Sequence, residues 1–193
     1  AKKLLSTQTG RDKLYVDDVF STYLYTGNGS TQTINNGIDL AGEGGMVWTK
    51  LRSSGGAFGN KNNTLLSNSL SLNKFIYTNT NEGAADQGVS MLSFASTGYT
   101  IVNTNPRLNL SAEPFVSWTF RKAPKFFKCA TVTKTDGSNA TVDLSSLGTV
   151  GMVTVKRTDS TGDWYTWHRS LPAGQLVYLN QTAAAATLGH ITV

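Results

Sequence analysis

The chain is 193 residues long, 39% apolar, 10% aromatic and 15% charged, which excludes a disordered tail and a coiled coil and leaves room for one domain or two small ones. Its formal charge of +5 is spread over the sequence, in groups such as Lys2 with Lys3 and Arg121, Lys122, Lys125 and Lys128 interleaved with apolar residues, which argues against a nucleic-acid surface. No apolar run approaches the roughly 18–20 residues of a membrane span, and the single cysteine, Cys129, excludes an intrachain disulfide.

Thr, Val, Tyr, Phe and Trp supply much of the body of the chain, with nineteen glycines for turns, so an all-β fold of antiparallel sandwich type is expected. Residues 1–19 read as an N-terminal arm, with "KLYVDDVF" as a lead-in strand. From Phe20, "FSTYLYTGNGSTQTINNGIDLAGEGGMVWTKLRSS" reads as a strand, an Asn28-Gly29 hairpin turn, a second strand, a polar connection and the strand "GMVWTK". "KFIYTN", "GVSMLSFASTGYTIV" and "PFVSWTFRK" continue the pattern, and Val116, Trp118 and Phe120 fall on one face of the last strand.

From Phe127 the order starts again, with Asp136-Gly137 at the turn and "GMVTVK" in place of "GMVWTK", displaced by about 106–108 residues. Two related sandwich modules in tandem are therefore expected, over 20–124 and 125–193. The second lacks a counterpart of residues 87–120 and is expected to continue beyond Val193, because "GHITV" reads as an interrupted strand. "QTAAAATLG" has local helix propensity for one or two turns, or forms an edge connection.

The chemistry on offer is sparse. His168 and His190 stand 22 residues apart with no ligand-type neighbour at zinc spacing, so no zinc site is expected, and no G-x-S-x-G elbow marks a nucleophile. "GEGG" (Gly42–Gly45) precedes a strand and lacks the Lys-Ser/Thr ending of a phosphate loop. Asp17, Asp18, Asp39, Glu43, Asp159 and Asp163 sit in loops where calcium ligands could converge, yet none fits an EF-hand and Asp is an ordinary turn former. No cofactor, metal or catalytic residue is expected.

The richest segment is "DWYTWHRS". As a strand it puts Trp164, Thr166 and His168 on one side and Tyr165, Trp167 and Arg169 on the other. One face can then seal a core while the other presents an indole, a phenol and a guanidinium. Two readings stay open there, protein-interface packing and stacking on a sugar. Arg121 and Lys122, after the strand "VSWTF", carry the same ambiguity.

The phrases "DDVFSTYLYTGNGSTQTINNGIDLAGEGGMVWTKLR", "VSWTFRKAPKFF" and "GMVTVKRTDSTGDWYTWHRSL" resemble a family of structural and tail-fibre virion proteins of marine and cyanobacterial tailed phages, over about Tyr15 to Leu171. The resemblance implies tandem concanavalin A-like or laminin G-like β-sandwiches, a non-enzymatic structural role in the virion, other virion proteins and copies of the chain as partners, and a host-surface glycan as an alternative ligand. It implies no catalytic residue. The stretch "NKNNTLLSNSLSLNKF" departs from the family pattern, so no ligand for the first module's loops is implied.

Overall fold

The computed structural model describes residues 4–6, 14–53, 62–102, 105–134, 139–187 and 191–193. These form mostly antiparallel β-structure, so the all-β expectation holds. In chain order the strands are β1 (Leu4–Ser6), β2 (Leu14–Tyr15), β3 (Phe20–Thr26), β4 (Gln32–Asn35), β5 (Gly45–Leu51), β6 (Thr64–Ser67), β7 (Lys74–Tyr77) and β8 (Ala85–Asp86). There follow β9 (Leu92–Ala95), β10 (Gly98–Ile101), a helical turn α1 (Pro106–Asn109), β11 (Pro114–Arg121), β12 (Met152–Lys156), β13 (Trp164–His168), β14 (Gln175–Tyr178) and β15 (Ala186–Thr187). Besides the small β1-β2 pair they form three sheets, ordered β4-β10-β9, β3-β11-β5-β6-β7-β8 and β12-β13-β14-β15.

One buried cluster takes side chains from both of the first two of these sheets. Ile34, Leu92, Tyr99 and Ile101 come from β4, β9 and β10, and Tyr25, Val47, Leu51, Leu66, Phe75 and Phe115 come from the six-stranded sheet. The period-two alternation of β11 explains its role: Phe115, Ser117 and Thr119 are fully buried, while Val116, Trp118 and Phe120 turn to the opposite face. There Trp118 lies directly opposite Trp48, with ring centroids 5.3 Å apart. Although β11 follows the other ten strands up to it in sequence, it sits inside its sheet, between β3 and β5.

The Asn28-Gly29 turn behaves differently from the expected hairpin. Gly29 has φ +68° and Asn28 Oδ1 accepts from Ser30 N at 2.9 Å, as the dipeptide predicts. Yet β3 pairs with β11 and β4 with β10, so the turn carries the chain from one sheet to another. The α1–β11 connection holds it there. Gly27 N donates to Glu113 O at 2.8 Å and Gly29 N to Asn109 O at 3.1 Å, and the buried Asn109 side chain accepts from Asn28 N at 2.7 Å. A local turn signal fixes the bend but not the partner of the strand that follows.

The strand meander β5-β6-β7-β8 recurs as β12-β13-β14-β15 with the same register. Met46 faces Ser67 as Met152 faces His168; Thr64 and Leu65 face Tyr77 and Ile76 as Tyr165 and Thr166 face Tyr178 and Val177. Lys74 and Phe75 face Asp86 and Ala85 as Gln175 and Leu176 face Thr187 and Ala186. Connections match as well: Thr78 N donates to Asn63 O at 3.0 Å and Leu179 N to Trp164 O at 3.1 Å.

The earlier half of the repeat diverges. Residues 128–134 and 139–144 contain no strand, and the Asp136-Gly137 turn lies outside the described residues. In the first copy β3 is held by β11 and β4 by β10. No further strand follows β15 among the described residues. Residues 181–185 form no helix, because four alanines are too few to meet the cost of nucleation, and Ala186–Thr187 instead pair at the sheet edge. Ile191–Val193, the described part of "GHITV", carry no strand.

The two meanders touch. Trp164 Nε1 donates to Tyr77 O at 2.9 Å, Ala84 N to Thr158 O at 2.8 Å and Gly162 N to Asn81 O at 2.8 Å. Loop 157–162 thus packs against loop 78–84.

Candidate protein-interaction site

The alternation expected of "DWYTWHRS" positions the site. On β13, Trp164 and Thr166 are each 6% exposed, and the indole is anchored on Tyr77 O. Tyr165 and Trp167 face the other way and are half-buried, and His168 and Arg169 are exposed. By register, Tyr165 lies between Val155 and Tyr178 and Trp167 lies opposite Val153. The Tyr165 and Tyr178 rings meet in a tilted contact at 5.5 Å. This side of the sheet therefore presents Val153, Val155, Tyr165, Trp167 and Tyr178 around the buried Leu176.

In the first meander Val47 and Leu66 hold the places of Val153 and Trp167, are 0% exposed and belong to the core, while Thr49 and Thr64, in the places of Val155 and Tyr165, are buried polar residues. In the second copy the same side has no counterpart of β4-β10-β9 among the described residues, and Val155 is 46% exposed. Met152, on the opposite side of β12, is 63% exposed. Exposed apolar side chains beside an open strand edge are a feature of interaction sites.

The geometry of the sheet's end is set by polar contacts. Asp163 accepts from Asn180 Nδ2 at 2.9 Å, and Asn180 Oδ1 accepts from Trp164 N at 2.9 Å. The Asn180 amide, then Gln181 and the positive charge of Lys156, hold the Asp163 carboxyl below its usual range. Lys156 is pulled down chiefly by partial burial, against the attraction of Asp163. Arg157 and Asp159 form an exposed pair at 2.7 Å, which contributes little to stability.

Of the other residues singled out in the sequence, Arg121, Lys122 and Cys129 lie outside this sheet. Arg121 and Lys122 stand at the end of β11 on the six-stranded sheet, where Lys122 N donates to Gly44 O at 3.0 Å. Arg169 follows the last residue of β13, its N donating to Gly151 O at 3.0 Å. Cys129 is half-buried outside any strand, 3.3 Å from Ser67 Oγ. The loop carboxylates act as turn formers: Asp18 accepts from Tyr15 N at 2.8 Å and Asp39 from Ala41 N at 3.0 Å. Among the described residues no group of three or more His, Cys, Asp or Glu could hold a metal ion, and no helix is long and apolar enough to cross a membrane.

Sequence reasoning missed β12 as part of the site. Its signal is present in "GMVTVK", where Met152 and Val153 place apolar groups on both sides of one strand, a pattern suited to a strand covered on both faces.

Neither the curated proteins nor the solved structures yield a match to the chain. A family model does match, over residues 16–146, a span that holds β3 to β11 and ends before β12. That span is more than half of the sequence, and the chain accordingly belongs to the family described as "Domain of unknown function (DUF7483)".

Proposed function

We propose that the chain is a non-enzymatic structural component of a tailed-phage virion, in a tail, a fibre or a capsid-surface attachment, and that it works by protein–protein assembly, including with copies of itself. The observation that carries the assembly role is the open apolar side of β12-β13-β14-β15, with Val155 46% exposed beside half-buried Tyr165 and Trp167. In this reading residues 20–124 form one β-sandwich module of concanavalin A-like kind, and residues 125–193 start a second. The shared register of the two meanders supports the relation between them, and the three phrases quoted above support the virion setting.

A host-surface glycan is the second reading, favoured by the Tyr165–Tyr178 ring pair beside Trp167.

The test uses density-purified phage particles probed with an antibody to the chain. The wild-type protein is expected in them at fixed stoichiometry, and the Trp167→Ala/Val155→Lys double variant, with its circular dichroism unchanged, is expected to be left out. Absence of the wild-type chain from purified particles contradicts the reading. A monomeric chain that binds a glycan and loses it on Trp167→Ala favours the second.

A further inference from the structure

In the first copy β5 has neighbours on both sides, β6 and β11. Among the described residues its counterpart β12 is paired only with β13 and ends its sheet. Antiparallel strands turn the main-chain groups of alternate residues to opposite neighbours. Gly151 O accepts from Arg169 N at 3.0 Å, on the β13 side, so the main-chain groups of Met152, Thr154 and Lys156 point to the open edge. The same alternation in β5 aims Met46, Trp48 and Lys50 at Phe120, Trp118 and Val116 of β11.

A second observation concerns a glycine. At Gly45 a Cβ would come within 2.0 Å of Phe120 O, so the close passage of β11 demands a glycine there. The counterpart of Gly45 is Gly151, which is again glycine. Its φ lies outside the left-handed region, and a Cβ built on it meets nothing within 4 Å. Neither its backbone nor its surroundings call for glycine, and a glycine at a strand's start weakens the strand. The residue is accounted for once a strand passes β12 as β11 passes β5.

We infer that the open edge of β12 is a strand-addition site, and that its occupant is an extended polypeptide segment of β11 chemistry, antiparallel to β12, with small hydroxyl residues alternating with large apolar ones. The register follows from the repeat: the residue in the place of Trp118 lies opposite Thr154, and that in the place of Phe120 lies opposite Met152. Main-chain hydrogen bonds supply the attraction, and the two sheet faces select the side chains. This names the partner of the assembly surface and rests on the assembly reading for its role, while its test does not require a particle.

The probe is a synthetic peptide of residues 113–122, EPFVSWTFRK, with a charged solubilising tail, added to the full chain and followed by amide chemical shifts. Binding is expected to perturb Met152, Thr154 and Lys156 most. Gly151→Ala should weaken it at least ten-fold by meeting the peptide backbone. Thr154→Pro should do the same by removing a donor at the open edge while leaving the β13 ladder intact, and unchanged protection of the β13 and β14 amides verifies the fold of both variants. No perturbation along β12, or binding that survives both substitutions, overturns the inference. So does a homodimer joined β12 to β12 that Thr154→Pro dissolves, since the occupant is then a second copy. A peptide that binds as expected to a chain absent from particles leaves this inference standing and removes the virion reading alone.

Discussion

At the scale of single residues, the two meanders share a side-chain clamp built from different chemistry. In the first, Asn79 Oδ1 accepts from Asn63 N at 2.8 Å and Asn79 Nδ2 donates to Asn62 Oδ1 at 2.8 Å. In the second, Asn180 makes the same two bonds, to Trp164 N and Asp163 Oδ1. Only the second contains an ionisable group. Because the Asp163 carboxyl is depressed in the folded chain, its contribution is fully present above the unfolded aspartate value of about 3.9 and is lost as pH falls through the folded value. Hydrogen-exchange protection of the Trp164 amide, corrected for intrinsic rate, is expected to fall on acidification below about pH 4. The Asn63 amide is expected to hold its protection over the same range, and Asp163→Asn should remove the difference. Equal loss at both amides would count against a local clamp.

At the scale of elements, the paired glycines make a direct comparison. Gly45→Ala forces a methyl group into the β11 backbone, and a destabilisation of about 1–3 kcal/mol is expected from overpacking of this kind. Gly151→Ala meets open space in the isolated chain and is expected to change stability by less than about 0.5 kcal/mol, like other substitutions that touch nothing. Urea denaturation of the two variants reads both values, and equal costs would contradict the open edge of β12. These strands were legible in the sequence, since "GMVWTK" and "GMVTVK" carry the alternation and their own offset of 106. The rest of the repeat was not. The connection from β12 to β13 is five residues shorter than that from β5 to β6, so the later strands fall at an offset of 101. There Leu66 corresponds to Trp167 and Ser67 to His168, and register persists with little shared chemistry. The face of Tyr165 and Trp167 could be read from period two alone, but not that it repeats a buried one. The destination of β4 was hidden for another reason: Asn28-Gly29 specifies a bend, while long-range bonds from Asn109 and Glu113 decide which sheet the chain enters.

At the scale of the whole molecule, two copies of one meander meet different surroundings. The first has β11 along its edge and β4-β10-β9 contributing to the same core, which leaves Val47, Leu66 and Phe115 fully buried. The second has neither among the described residues and presents an apolar side and a free strand edge at once. Free edges invite pairing with another chain, and the proposed assembly role rests on that property of this sheet. Amide hydrogen exchange along β12, compared between the free chain and purified particles, tests that claim most directly. Met152, Thr154 and Lys156 are expected to exchange rapidly in the free chain and to become protected at least ten-fold in the particle, with Val153 and Val155 slow in both. Exchange at Thr154 that is as fast in the particle as in the free chain would contradict it.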